Sequence, residues 1–144
     1  MSLISTPWFI GGIIPALFYG FMTIPIKLTS GQISTGLFLV ITGLGIITIG
    51  LLAMLLLNES SVFTTKSTIL SFIYGLLWGS GTLFVFYALS HLKGSISTLA
   101  PLYNTNTLIA VLIGLIIFKE WTNLVVWKII LGAILIVLGS ALII

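Results

Sequence analysis

Cysteine, arginine and aspartate are all absent from this 144-residue chain, and charge of either sign is scarce. Two glutamates, Glu59 and Glu120, and five lysines make up the 5% of charged residues. Without cysteine there is no disulfide framework and no thiolate chemistry. Soluble domains carry about 25% charged residues. A chain that is 59% hydrophobic could not hide its apolar surface in a soluble fold of this length. It is therefore read as an integral membrane protein. The lysines are scattered and form no basic patch, which argues against a nucleic-acid partner. One histidine and two distant carboxylates do not supply a zinc site. No nucleophile, base and acid come together, so neither an enzyme nor a cofactor is expected. Residues 1–7 (MSLISTP) lack the basic start of a secretory signal, so the first apolar segment is read as a retained span.

What remains is long apolar runs. A bilayer core of ~30 Å takes about 20 apolar residues as helix. Five stretches qualify, near 8–27, 33–57, 68–90, 96–118 and 123–143. They are separated by LTSGQ, NESSVFTTKS, HLKGS and KEWT. Helix is the expected state, because open strands leave backbone groups unsatisfied in lipid and these runs do not alternate. Short loops make neighbouring helices antiparallel, in one five-helix domain over 1–144. With the N-terminus inside, Lys66, Lys119 and Lys128 are cytoplasmic and Lys27 and Lys93 external. A bias of one lysine specifies orientation weakly, so insertion both ways is open.

Small residues recur at helical spacing: Gly36, Gly43 and Gly50 in the second span, Gly75 and Gly79 in the third, Gly132 and Gly139 in the fifth. Such stripes let helix backbones approach closely in lipid. Pro15 and Pro25 flank Tyr19 and Thr23 in the first span and predict kinks. At about 100° per residue, Tyr74, Trp78 and Thr82 share a face of the third span. Tyr103, Asn106, Thr107, Ala110 and Gly114 share one of the fourth. Amides and hydroxyls inside a membrane helix are costly unless bonded. They act either as interhelical glue or as the lining of a solvated path for a polar cargo.

No span interior holds Asp, Glu, Arg or His. Proton-coupled pumps usually keep an ionisable residue there, so a neutral or zwitterionic cargo fits better. Lys128, near the start of the fifth span, can snorkel. Glu120 precedes the fifth span, where exposed helix N–H groups would favour its charge. Trp121 suits the interfacial belt, and Thr122 or Asn123 is the expected cap. Glu120 is also a candidate for a gate or an interface at the mouth of a path.

GQIST (31–35) opens the second span and GSIST (94–98) the fourth. Each follows a span containing YG or WG, and each leads to a glutamate, in LNE and FKE. This pattern fits a duplicated hairpin. The stretch GLLWGSGTLFVFYALSHLKGSISTLAPLYNTNTLIAVLIGLIIFKEW, with GAILIVLGSALI after it, resembles the EamA-type repeat of the drug/metabolite transporter superfamily. Pro101 enters the fourth span and Glu120 closes it, as in that family. Typical members join two such five-span repeats of opposite orientation around a central cavity. The resemblance implies a half-size member that pairs with a second copy, possible as an antiparallel homodimer, or with a second five-span half. PALFYGFMTIPIK has no glutamate where the small multidrug resistance relatives carry theirs, which counts against cation/proton antiport.

The expected function is a secondary transporter subunit of the cytoplasmic membrane, in contact with lipid. It would move a small neutral or zwitterionic metabolite by alternating access, with Tyr19, Thr23, Tyr74, Trp78, Thr82, Tyr103, Asn106 and Thr107 lining the path. A lipid-linked substrate flippase and a non-transporting partner subunit are the rival readings.

Overall fold

The computed structural model describes residues 6–57, 59, 63–123 and 125–143, without the side chain of Asn123. The described residues are helical, with no strand among them. A π-helical segment, Phe9–Ile13, leads into α1 (Ile14–Phe21) and α2 (Thr23–Thr29). Then follow α3 (Thr35–Leu56), α4 (Thr65–His91), α5 (Ile96–Tyr103), α6 (Asn106–Ile116) and α7 (Val126–Ala141). Four helical stretches are long and apolar enough to cross a membrane: Phe9–Thr29, Thr35–Leu56, Thr65–His91 and Ile96–Ile116. A fifth apolar helix, Val126–Ala141, is shorter. The protein is thus an all-α, multi-pass protein of the cell membrane.

Hydroxyl side chains set the helix starts. Ser34 accepts from Leu37 N–H, Thr64 from Ser67 N–H and Ser95 from Thr98 N–H. Each satisfies one of the orphan donors of a first turn. The cap at Thr64 starts the third span at Thr65, three residues before its expected start at 68, so Lys66 lies in the helix and not in the loop. The fifth span departs further from expectation. Glu120–Asn123 forms a 3-10 turn, and α7 begins only at Val126, with no side chain capping it at Val125. The residues expected to open the last helix are taken up by that turn. Thr122 caps nothing there, and the side chain of Asn123 lies outside the described atoms.

The chain falls into two compact units, Met1–Lys93 and Gly94–Ile144. In the first, α3 packs on α4, and Phe38 stacks on Phe86 at 4.0 Å between ring centroids. Phe86 is fully buried. Gly31 N–H donates to Ser90 Oγ at 3.2 Å, which ties the turn before α3 to the end of α4. Few other apolar side chains are buried, and long rows of Leu, Ile and Phe are exposed. In lipid this is the solvated state of such a surface, since acyl chains are as apolar as leucine.

In the second unit α5 and α6 both pack on α7. Pro101 lies inside α5. Past it the helix breaks, and Thr105 N–H turns to Leu102 O at 3.1 Å instead of reaching the Pro101 carbonyl. That carbonyl is taken by Ser140 of α7, whose buried Oγ lies 2.9 Å from it. The same Oγ is 2.9 Å from Ile136 O in its own helix. Replacing Ser140 with alanine removes this partner from the part-buried Pro101 carbonyl. The expected cost is about 1 kcal/mol, read as a lower Tm of the purified protein in detergent.

Candidate functional site

The middle of the fourth span is its most polar stretch, and there the helix is interrupted. After Tyr103 the chain turns at Asn104 and Thr105 and resumes as α6 at Asn106. Hydroxyls add a second bond to two carbonyls of this turn, which already accept from Thr105 N–H and Thr107 N–H at 3.1 Å. Thr105 Oγ1 donates to Leu102 O at 2.7 Å and Thr107 Oγ1 to Asn104 O at 2.7 Å. Asn104 and Asn106 are exposed, while Tyr103, Thr105 and Thr107 are half-buried. A broken helix at membrane depth is tolerated where it is buried in protein or lines a cavity.

One turn beyond the break a hollow of about 290 Å³ opens against α6. Thr107, Ala110, Val111, Gly114 and Leu115 of α6 line it, with Ile129 of α7 and Glu120. The carboxylate gets there by a reversal of the backbone. Ile117 and Phe118 N–H both bond to Ile113 O, at 2.8 and 3.3 Å, so α6 ends in a wider, i→i−5 turn. Lys119 then takes a left-handed conformation, φ 55°. That turn sends Glu120 back along the helix it has just left. A Cβ on Gly114 would stand 2.9 Å from Glu120 Oε2, so the missing side chain is the space the carboxylate occupies. Among the described residues no group of three or more His, Asp or Glu could hold a metal ion.

A family model described as "Sugar transport protein" matches residues 10–144. The chain belongs to that family. No curated protein and no solved structure matches it. Membership over most of the chain, with the helical membrane architecture, supports a secondary transporter function and fits the broader drug/metabolite transporter superfamily.

Within this family member the residues expected to line a path fall into both units. In the first, Tyr19 and Tyr74 are exposed, and Thr23 and Trp78 are half-buried. Thr23 Oγ1 donates to Gly20 O at 2.7 Å and Thr82 Oγ1 to Trp78 O at 3.0 Å. In the second, the hollow gathers Thr107 and Glu120 but neither Tyr103 nor Asn106. Ala110 and Gly114 join Thr107 there, as their shared helical face predicts. Val111, Leu115 and Ile129 were not expected. The position of Glu120 differs from the expectation too: it opens the 3-10 turn and leans on α6, six residues before α7 starts. The spacing between Gly114 and Glu120 is the one sequence signal that could have shown it. Gly36, Gly43, Gly50, Gly75, Gly79, Gly132 and Gly139 each face open space within this chain, with nothing within 4 Å of an added Cβ.

Lys119 holds a conformation that costs an L-residue about 1–2 kcal/mol. Lys119→Gly is expected to raise stability by about 1 kcal/mol, part of the gain being lost to the more flexible unfolded chain. Lys119→Val should lower it. Thermal unfolding in detergent measures both.

Proposed function

We propose that the chain is half of a secondary transporter that carries a small neutral sugar across the cell membrane by alternating access. A zwitterionic metabolite of similar size is the wider class. The family described by the matching model supplies the sugar. The observation that carries the reading is the break in the fourth span at Asn104 and Thr105, with Asn106 and Thr107 beside it. Interrupted apolar segments mark substrate sites in transporters, because unwound backbone and polar side chains meet the cargo near the midplane. In this reading the five spans form one EamA-type repeat, and Tyr74, Trp78, Thr82, Tyr103 and Asn106 complete the lining.

Two copies, or one copy and a second five-span half, then enclose the path. The glycine rows of α3, α4 and α7, unfilled within a single chain, would be the close-packing faces of that assembly. The weak lysine bias is what favours an antiparallel homodimer in this reading, since a chain that inserts both ways supplies both halves.

In vesicles reconstituted with the pure protein, uptake of a radiolabelled hexose is expected, and Asn106→Ala and Trp78→Ala should each reduce it about tenfold. Unchanged uptake in both variants would remove them from the lining. No uptake of any sugar would sink the transporter reading. Orientation is tested separately, with one cysteine at Ser2 or Ser60 and an impermeant thiol reagent on intact cells. The antiparallel dimer requires each site to label in only part of the molecules. All-or-none labelling would instead require a parallel oligomer or an inverted partner.

A further inference from the structure

We propose that the hollow beside α6 is a subsite for sugar hydroxyls, in which the Glu120 carboxylate accepts hydrogen bonds from adjacent hydroxyl groups of the cargo. The proposal rests on the transporter reading above and assigns one carboxylate to one part of the substrate.

Three features of the hollow point to this ligand. Its polar side-chain groups are acceptors. Thr107 Oγ1 directs its proton to Asn104 O at 2.7 Å, which leaves its lone pairs for the hollow. An ionised carboxylate only accepts, through about four lone-pair sites on two oxygens. The matching ligand carries several O–H donors close together. The rest of the lining is Ala110, Val111, Gly114, Leu115 and Ile129, an apolar wall suited to the C–H face of a pyranose ring. The volume, about 290 Å³, is at the small end of the roughly 300–1,000 Å³ usual for small-molecule sites. A monosaccharide fits that size better than a larger saccharide.

A negative acceptor also suits an ammonium ion, so the surrounding charge matters. Lys119 precedes Glu120 in the chain, and Lys128 of α7 sits with its Nζ 5.6 Å from the centre of the Trp127 ring. Neither lines the hollow. The choice of a neutral sugar over a cation comes from the family, and the experiment separates the two.

Gly114 supplies a lever that leaves the carboxylate in the chain. A methyl group there would stand 2.9 Å from Oε2, so the carboxylate must move. The atom displaced is the far end of a flexible side chain, and alanine suits a helix better than glycine, so Gly114→Ala should fold normally. Both Gly114→Ala and Glu120→Gln are expected to raise the KM for D-glucose uptake about tenfold, with kcat little changed. A second readout is selectivity. Unmodified protein should prefer glucose over the monodeoxy analogue lacking the hydroxyl that Glu120 binds, and Glu120→Gln should shrink that preference. A change in stability alone would not alter the ratio.

Occupancy is measured without transport. The chain has no cysteine, so Ala110→Cys places a single thiol in the hollow. D-glucose should slow its modification by a small thiol reagent, and tetramethylammonium should not. Protection by tetramethylammonium but not by glucose would make this a cation site and overturn the proposal. Glucose uptake by unmodified protein, without protection at Ala110→Cys and with unchanged KM in both variants, would also overturn it while leaving the transporter reading intact. Protection by glucose in a protein that moves no sugar would keep the subsite and discard the transporter.

Discussion

A backbone carbonyl freed in lipid has no water to bond to, and each unpaired group there costs several kcal/mol. The organisation of this chain follows from that constraint. Several of the irregular turns described have a hydroxyl at hand. In the first span, Thr23 takes Gly20 O and Thr29, at the end of α2, takes Pro25 O. At the break in the fourth, Thr105 and Thr107 take Leu102 O and Asn104 O, and Ser140 reaches Pro101 O from another helix. Serine thus supplies the partner that the Pro101 carbonyl would otherwise lack, and the threonines reinforce carbonyls that backbone N–H groups already reach. In the polar cluster of the fourth span the threonine hydroxyls are bound to their own backbone, and the amides of Asn104 and Asn106 are exposed.

Charge enters the structure through corners. Lys93 and Lys119 both have positive φ, 56° and 55°, and each follows the end of a span. Left-handed residues close helices because they bring the next N–H groups back to the last carbonyls. Glycine is the usual choice. A lysine there keeps a cation at the negative end of the helix dipole, which offsets part of the strain. At Lys119 the corner does more, because the next residue is Glu120. Scarce charge and a strained turn together place a carboxylate against an apolar helix.

The spans were legible because hydropathy over about 20 residues is a strong signal in a chain with so few charges. Pro15 and Pro25 marked the first span for kinks, but the turn at Asn104 and Thr105 was not legible, since Pro101 alone does not say where the chain turns. Nor was local geometry. The repeat GQIST and GSIST reads alike, yet the cap is Ser34, fourth in the first copy, and Ser95, second in the other. Hydropathy does not say where an apolar segment leaves the helix, so residues 123–125 read as span although α7 starts at Val126. Lysine is no marker of left-handed backbone, so the corner at Lys119 was invisible, and with it the direction of Glu120. The face holding Thr107, Ala110 and Gly114 was readable from the 3.6-residue period alone. What faces it depended on the turn.

The brevity of α7 has a consequence for the membrane itself. Its 16 residues rise about 24 Å, against a hydrocarbon thickness of ~30 Å. The four longer spans match or exceed that thickness, so one molecule presents two hydrophobic lengths to the same bilayer. Lipid beside α7 must thin, or Trp127 and Lys128 at its start must extend toward the headgroups. Thinning depresses the membrane beside α7, whereas snorkelling leaves the bilayer flat and stretches the two side chains. Bilayer composition thus becomes a variable of this protein's energetics, with thin membranes the easier host.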